Sequence, residues 1–324
     1  MASLPATVTL PIAAELQLFE RRFAEAMKSN VALLDAITRY IVKRKGKQVR
    51  PMFVFLSSLI NGGITEATYT AASLVELLHT ATLVHDDVVD ESYERRGFFS
   101  VNALWKNKIA VLVGDYLLAR GLLVAIERDE FRLLKLMASA VREMSEGELM
   151  QIEKTRRLDI KEDVYFTIIR QKTATLIASA CATGAAAAGA PDADVERMRK
   201  LVETIGIAFQ IKDDLMDFGS DDIGKPRGID IQEKKLTLPL IYALRRTDAA
   251  TRRRMIYIVK NENTDAAKVK AVVDFVHREG GIDYARARMN EYRDEALRML
   301  GGYPESPART ALVDLVLFTA NRAK

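Results

Sequence analysis

Two aspartate motifs of identical spacing carry the strongest chemical signal in this sequence. Residues 86–90 are Asp-Asp-Val-Val-Asp and residues 213–217 are Asp-Asp-Leu-Met-Asp, and an apolar stretch precedes each. On a helix, the first and last aspartate of such a motif lie about 40° apart on one face. Three carboxylates this close repel each other unless cations lie between them. Together the two motifs predict binding of several Mg²⁺ ions, which in turn hold a diphosphate.

Basic side chains recur near these motifs and suit phosphate oxygens. They are Lys47, Arg50, Arg95, Arg96, Lys172, Lys225 and Lys235. Arginine binds phosphate through paired hydrogen bonds and lysine binds it as a point charge. Any one of them alone is more typical of a surface, but the set predicts sites for two diphosphates. His79 lies seven residues before Asp86, so we expect it on the same helix face as the carboxylates.

Composition narrows the class of protein. The 324 residues include 48 basic and 44 acidic ones, which is too balanced for a nucleic-acid binder recognised by its charge. The single cysteine, Cys181, excludes an intramolecular disulfide framework and a cysteine zinc site. The three histidines leave little room for a histidine metal site. Any metal would therefore be held by carboxylates, which favours Mg²⁺.

Targeting signals are not expected in this chain. The amino terminus lacks the basic region of a signal peptide. The longest uncharged stretch, residues 173–191, consists mostly of Ala, Thr, Ser and Gly and is too weakly apolar for a membrane span. We expect a soluble protein of a reducing compartment, the cytoplasm.

The elements that must position these residues are helices. The chain has only 17 Gly and 8 Pro, too few turn residues for an all-β fold of this length. Apolar spacing of three and four predicts helices over 13–43, 48–61, 66–91, 108–128, 131–156, 160–189, 193–218, 249–260, 265–278, 281–300 and 305–322. Because no stretch has linker composition, we expect one domain over residues 1–324.

Six sequence motifs resemble those of one family, in order and in spacing. They are GKQVRP, LLHTATLVHDDVVDESYERRG, VLVGDYLLARG, RQKTATL, GIAFQIKDDLMDF and GKPRGIDIQEKKLTLPL. The chain, from about residue 15 to its end, resembles the trans-isoprenyl diphosphate synthases of the polyprenyl synthetase family. One departure is Glu233-Lys234-Lys235, where that family often has Glu-Gly-Lys. The resemblance implies a single all-α domain of about ten or more helices around a central active-site cavity, and a homodimer.

The resemblance also implies a reaction and a role for each polar residue. The reaction joins an allylic diphosphate head to tail to isopentenyl diphosphate. Catalytic roles fall to Asp86, Asp87, Asp90, Lys172, Thr173, Gln210 and Lys235. About three Mg²⁺ ions per active site would be held by Asp86, Asp87, Asp90, Asp213 and Asp217. The allylic diphosphate would be bound by Arg95, Lys172, Lys225 and Lys235, and isopentenyl diphosphate by Lys47, Arg50, His79 and Arg96.

Product length is predicted from the helix that leads to the first motif. Helix geometry places Val75, Leu78 and Thr82 below the carboxylates. The family resemblance adds Ala81, which lies further round the helix. Residues 70–92 contain no aromatic side chain, whereas short-chain synthases of the family often carry one just before the first motif. This pattern favours the long-chain synthases that make quinone side chains, with peripheral membrane contact as a route for product release.

Several other functions stay open at this point. A short-chain synthase making farnesyl or geranylgeranyl diphosphate is the nearest alternative. A terpene cyclase needs no isopentenyl site, and Lys47, Arg50 and His79 argue against it. A non-catalytic subunit of a heteromeric synthase would be expected to have degraded aspartate motifs, and both are intact here. A helical scaffold without a small-molecule ligand is the remaining possibility.

Overall fold

The computed structural model describes residues 5–43, 48–95, 97–158, 160–218 and 228–321, without the side chains of Arg95, Arg157 and residues 319–321. The amino-terminal half contains helices α1 (Ala6–Thr9), α2 (Ala13–Ala26), α3 (Ala32–Lys43), α4 (Val49–Ile60), α5 (Glu66–Val89), α6 (Val101–Ile126) and α7 (Phe131–Arg157). A 3₁₀ turn, Leu10–Ile12, precedes α2, and a short hairpin of β1 (Glu94–Arg95) and β2 (Phe98–Phe99) precedes α6.

The carboxyl-terminal half is also helical. Its helices are α8 (Glu162–Ile169), α9 (Thr175–Ala187), α10 (Asp192–Met216), α11 (Ile229–Gln232), α12 (Leu238–Arg246), α13 (Ala249–Asn261), α14 (Ala266–Arg278), α15 (Gly281–Gly301) and α16 (Pro307–Asn321). A π-helical segment, Arg170–Ala174, joins α8 to α9. The predicted all-α class is confirmed.

Several elements differ from the predicted helices: α1, α11 and α12 were not predicted, and a π-helical segment interrupts the helix expected over 160–189. The helix expected over 13–43 is two helices, and between them the Ser29 hydroxyl accepts the Val31 amide at 3.2 Å, a local bond that competes with helix continuation. Helix α6 begins at Val101, and its non-helical Lys106 (φ 75°, ψ 157°) stands just before the predicted start at 108. Helix α12 was not predicted at all, because its apolar run is short and contains Pro239, which the first helical turn tolerates.

Two hydrophobic clusters hold the helices together. The larger one is built on α4, α5, α6 and α9, and includes the fully buried Phe53 and Phe55. The smaller one is built on α12, α13 and α14 and includes Phe218 and Phe275. Helix α10 spans both, since its first turns pack into the larger cluster and Ile207 and Ile211 pack into the smaller. The second aspartate motif therefore ends a helix that is fixed along its whole length.

Helix α6 is long and apolar but only partly buried. By length and composition it could cross a membrane, with a mean hydropathy of 2.0 over its most apolar window, and 33% of that window is buried. A core helix of a soluble protein has the same properties. The helix nevertheless leaves large apolar side chains exposed at Leu104, Val111, Leu112, Leu123 and Ile126. These side chains, called here the exposed face of α6, form an apolar surface in contact with water.

Candidate active site

The first aspartate motif lies at the carboxyl end of α5. Thr65 caps the start of this helix through a reciprocal capping box with Thr68. Asp86 and Asp90 are exposed at its last turn, while Asp87 is buried. The backbone carbonyl of Asp87 accepts hydrogen bonds from the Asn102 side chain (3.0 Å) and the Ser92 amide (2.9 Å). The end of the helix is thereby fixed while two carboxylates stay accessible.

The second aspartate motif lies at the carboxyl end of α10. Asp213 is exposed, but Asp214 is buried. One carboxylate oxygen of Asp214 accepts the Tyr165 hydroxyl at 2.6 Å and the other accepts Gln210 Nε2 at 2.9 Å. Burial raises the pKa of Asp214 to about 7, against the opposing effect of these two hydrogen bonds. The middle aspartate of this motif is thus held within the protein.

Asp217 caps the next helix. One of its carboxylate oxygens accepts the Ile229 amide at 2.8 Å and the other accepts the Asp230 amide at 3.1 Å. These are the first amides of α11, where a negative charge is favourable. The Lys235 amide in turn donates to the Asp230 carbonyl at 2.8 Å. Asp217 therefore fixes the segment that carries Lys235.

Negative charge accumulates around Lys235. Its ammonium group pairs with Glu233. Burial alone would lower the pKa of Lys235, but the hydrogen bond to Glu233 and the charges of Asp230 and Asp214 raise it. Burial, with the neighbouring charge of Asp217, raises the pKa of Asp230 to about 6 although Lys235 opposes this. The region can therefore accept additional cations.

A π-helical segment presents the two residues predicted from the RQKTATL motif. Lys172 Nζ pairs with Glu148 at 2.6 Å, and the Thr173 hydroxyl donates to Gln210 Oε1 at 3.1 Å. Thr173, Gln210, Asp214 and Tyr165 thus form one continuous hydrogen-bonded chain. π-Helical turns are rare and occur frequently at functional sites.

Two glycines let neighbouring helices approach this π-helical segment. A Cβ at Gly206 of α10 would lie 2.7 Å from both Cα and Cβ of Ala174. A Cβ at Gly147 of α7 would lie 2.7 Å from Cβ of Gln171 and 3.1 Å from the Lys172 amide nitrogen. At both positions the 2.7 Å contact is too short for any residue that has a Cβ. The position of Lys172 and Thr173 therefore depends on glycine at both places.

The basic residues predicted to bind the two diphosphates are only partly described. Lys47, Arg96 and Lys225 lie outside the described residues, and so does the side chain of Arg95. Arg50 lies half-buried in the first turn of α4, and His79 is buried on α5. Their predicted roles stay predictions.

The predicted chain-length residues lie in the packed core. Val75, Leu78 and Ala81 are buried, and the half-buried Thr82 donates its hydroxyl to the His79 carbonyl at 2.8 Å. Helix α6 approaches closely here, because a Cβ at Gly121 would lie only 3.3 Å from the Leu78 side chain. Leu78 therefore lies at the α5–α6 contact, and the influence of all four residues on product length stays a prediction.

The donor chemistry of the two motifs fits Mg²⁺. Both place carboxylates at the negative end of a helix dipole, an unfavourable arrangement that a cation relieves. Within the described ranges, no group of three or more His, Cys, Asp or Glu side chains already converges on one point that could hold a metal ion. Oxygen-only donors are what Mg²⁺ requires, and this ion keeps part of its water shell and binds through few carboxylates plus substrate phosphates.

Sequence reasoning missed Tyr165, Asp230, Glu148 and Glu233. Asp230 stands inside one of the recognised motifs, so its position was available as a signal. Tyr165 stands next to Phe166 in an apolar stretch, and no local pattern distinguishes it from a core residue.

Comparison with known proteins gives consistent results. The polyprenyl synthetase family model matches residues 31–276. Over 318 residues, 97% of each chain, the sequence is 36% identical to the all-trans-nonaprenyl-diphosphate synthase (geranyl-diphosphate specific) of Rhodobacter capsulatus. The fold matches the crystal structure of a decaprenyl diphosphate synthase from Rhodobacter capsulatus over 98% of each chain, with a TM-score of 0.91 and 33% identity. A geranylgeranyl pyrophosphate synthase from Bacteroides thetaiotaomicron matches with a TM-score of 0.82 and 37% identity, over 98% of this chain and 99% of that one.

Proposed function

The chain belongs to the polyprenyl synthetase family, and we propose that it condenses isopentenyl diphosphate with an allylic diphosphate to make a long-chain polyprenyl diphosphate. The observation that carries this proposal is the pair of aspartate motifs, each at the carboxyl end of a long helix, with Lys172 and Lys235 in ion pairs beside the second one. Such a site can hold a diphosphate and stabilise it as a leaving group.

Mg²⁺ is part of this proposal. Bound by Asp86, Asp87, Asp90, Asp213 and Asp217, it would supply positive charge to the diphosphate oxygens. Lys172 and Lys235 supply more, and Glu148 and Glu233 hold them in place through the ion pairs described above. The protein thus presents fixed cations where the leaving group develops its charge.

The hydrogen-bonded chain from Tyr165 to Thr173 orients an oxygen that stabilises the carbocation. The Thr173 hydroxyl gives its hydrogen to Gln210, so its oxygen is left as an acceptor. An oriented oxygen of this kind stabilises positive charge on the allylic fragment after the C–O bond breaks. The isopentenyl double bond then attacks that fragment, and the released proton goes to the departing diphosphate.

We also propose that the protein acts as a homodimer through the exposed face of α6. Leu112, 56% exposed, and Leu123, 46% exposed, are large apolar side chains on that face. Light scattering during gel filtration should give twice the chain mass for the native protein. Leu112→Glu should shift it to the monomer mass, and Tyr257→Glu, a charge at an equally exposed position on α13, should not. A monomeric native protein would contradict this part of the proposal.

A cytoplasmic location belongs to the proposal as well, with peripheral membrane contact for release of the apolar product. Its support is the composition, with one cysteine whose thiol is buried. Cell fractionation tests it, since salt and carbonate washes should release the protein from any membrane fraction.

The decisive experiment is a product analysis. The purified protein is incubated with farnesyl diphosphate, isopentenyl diphosphate and Mg²⁺, and the product is measured by mass spectrometry. A product of seven or more isoprene units is expected for a long-chain synthase, and EDTA should abolish it. A product that stops at geranylgeranyl diphosphate would support the short-chain alternative, which the similarity to the Bacteroides thetaiotaomicron enzyme favours.

A further inference from the structure

A cavity of about 840 Å³ lies between α8, α12 and α15. This volume is within the range of small-molecule sites, which run from about 300 to 1,000 Å³. Among the described residues, neither aspartate motif contributes to its lining, and nor does the π-helical segment. The cavity is therefore distinct from the diphosphate site described above.

The interior of the cavity is apolar. Leucine, isoleucine and phenylalanine side chains from four separate segments contribute to it, among them Leu158, Phe166, Leu236, Leu244 and Ile256. A hydrocarbon chain in this space would contact these apolar side chains instead of water, which favours its binding.

Charged side chains complete the lining, and most of them are basic. They are Lys161, Arg245, Arg252, Arg288, Glu162 and Asp163. Glu162 is already engaged, because its carboxylate accepts hydrogen bonds from Arg245 (3.0 Å) and from the Tyr284 hydroxyl. The lining has four cations and two carboxylates, a surplus of two positive charges. When Glu291, the ion-pair partner of Arg288, is counted as well, the surplus is one positive charge.

Arg288 presents an unused donor at this cavity. Its guanidinium stacks on Phe166 and Tyr292, at 5.3 and 5.4 Å from the ring centres, and one terminal nitrogen pairs with Glu291. Its buried Nε has no hydrogen-bond partner within the described part of the chain. A buried donor without a partner is costly, and a shift of the guanidinium towards an anionic head would bring this donor to an acceptor.

Helix α8 connects the cavity to the diphosphate site. Phe166 lines the cavity, and the preceding residue, Tyr165, donates its hydroxyl to Asp214. The two rings are in edge-to-face contact, with centres 5.3 Å apart. Leu236, which also lines the cavity, directly follows Lys235. A ligand in the cavity therefore touches the neighbours of two active-site residues.

We propose that this cavity binds a single-chain amphiphile with a phosphate or diphosphate head, and that its occupancy changes turnover through α8. The apolar interior takes the chain, and Arg288, Arg245 and Lys161 take the head. Two sources offer this chemistry, a prenyl diphosphate from the reaction itself and a lysophospholipid. The binding step does not depend on the proposed reaction.

Hydrogen–deuterium exchange by mass spectrometry tests the binding step, in EDTA and without turnover. The four probes are farnesyl diphosphate, oleoyl lysophosphatidate, inorganic diphosphate and farnesol. We expect slower exchange of residues 160–169 and 238–246 with at least one of the two amphiphiles, and much less protection by head or chain alone. Which amphiphile protects identifies the source. Protection confined to residues 79–90 and 206–217, or equal protection by farnesol, would overturn the proposal.

Two variants and one matched control sharpen this test. Lys161→Glu, at an exposed position, and Arg288→Lys, which keeps the charge but removes Nε, should each weaken amphiphile binding about tenfold. Lys260→Glu, at an exposed position of α13 outside the lining, should bind as the native protein does. Unchanged affinity in Lys161→Glu and Arg288→Lys, with unchanged thermal melting, would show that the basic side chains do not recognise the head.

Turnover tests the coupling. The amphiphile that protects the cavity should change the steady-state rate of the native enzyme at least twofold at saturating substrates, and Lys161→Glu should lose this response while keeping its basal rate. A native rate that does not respond would contradict the coupling. An enzyme without prenyl transfer activity would contradict the proposed function and leave the exchange experiment unaffected.

Discussion

The two aspartate motifs have the same spacing and both end long helices, yet their surroundings differ. In the first motif the backbone of Asp87 receives the stabilising contacts, from Asn102 and Ser92, and two of the three carboxylates are exposed. In the second motif the carboxylates themselves accept hydrogen bonds. Asp214 accepts them from Tyr165 and Gln210, and Asp217 accepts one from the first amide of α11.

This difference shows that one sequence pattern can serve two physical purposes. The first motif offers exposed carboxylates at a helix end, where a cationic ligand can reach them. The second motif is already part of a hydrogen-bonded network that includes Thr173 and fixes the segment of Lys235. Preorganised groups of this kind cost no rearrangement when charge develops during a reaction. We therefore expect the second region to respond more strongly to small changes in packing.

The largest effect is expected when the exposed first aspartate of each motif is replaced. Asp86→Asn and Asp213→Asn keep the shape of the side chain and remove its charge. Loss of one metal contact at a leaving group costs several kcal/mol of barrier, so turnover should fall at least about a hundredfold in each. Steady-state rates at saturating Mg²⁺ measure this. A near-native rate in either variant would mean that its motif is not needed for ionisation.

A smaller effect is expected from glycines that contact each region. In Gly206→Ala the new Cβ would meet Ala174 backbone at 2.7 Å, so the π-helical segment must shift. Overpacking of this kind costs about 1–3 kcal/mol of stability, and we expect turnover to fall about tenfold. In Gly114→Ala, near the first motif, the three atoms nearest to the new Cβ all belong to the His85 ring, which can rotate away, so the effect should be smaller.

Gly301→Ala is the control for these two variants, because no described atom lies within 4 Å of its added Cβ. Thermal melts and turnover of the three proteins give the ranking. If Gly114→Ala is as damaging as Gly206→Ala, the first region is as rigidly packed as the second.

A third effect separates hydrogen bonding from packing in the second region. Tyr165→Phe keeps the buried ring but removes the hydroxyl that donates to Asp214. At a pH above about 7, where Asp214 is ionised, loss of this buried hydrogen bond to a charged acceptor should lower the free energy of unfolding by about 2 kcal/mol, and turnover should fall several-fold. Denaturant unfolding with Tyr242→Phe, which removes a hydroxyl from a ring stacked on Tyr284, is the matched comparison. Equal losses would show that the bond to Asp214 has no special weight.

The sequence predicted the helical class, both motifs and the ends of most helices, because apolar periodicity and carboxylate spacing are local signals. It could not predict that Asp214 is bound by Tyr165, since these residues are 49 positions apart and only tertiary packing brings them together. The π-helical turn at Lys172 was equally hidden, because it depends on glycines of two other helices. Asp217 was expected to bind metal, and its use as a helix cap follows from the chain returning to it at Ile229.

Substitutions in α5, just before the first motif, should change the rate least, but they should change the length of the product. Replacing Ala81 or Thr82 with Phe should shorten the main product towards farnesyl or geranylgeranyl diphosphate, and Leu78→Phe should stop elongation slightly later. The residues lie about one and two helical turns before Asp86, and a turn of 5.4 Å is roughly the length of one isoprene unit.

The first condensation should stay within about twofold of native, because the metal ligands and basic residues are untouched. Thr82 is the most informative position, since it is half-buried and its hydroxyl bonds only within its own helix, to the His79 carbonyl. Leu78 is fully packed against α6 near Gly121, so Leu78→Phe needs a melting curve to separate misfolding from shortening. Mass spectrometry of products made from one starter compares the variants with the native enzyme. An unchanged long product in stable Ala81→Phe and Thr82→Phe proteins would mean that the growing chain leaves the first motif along another path.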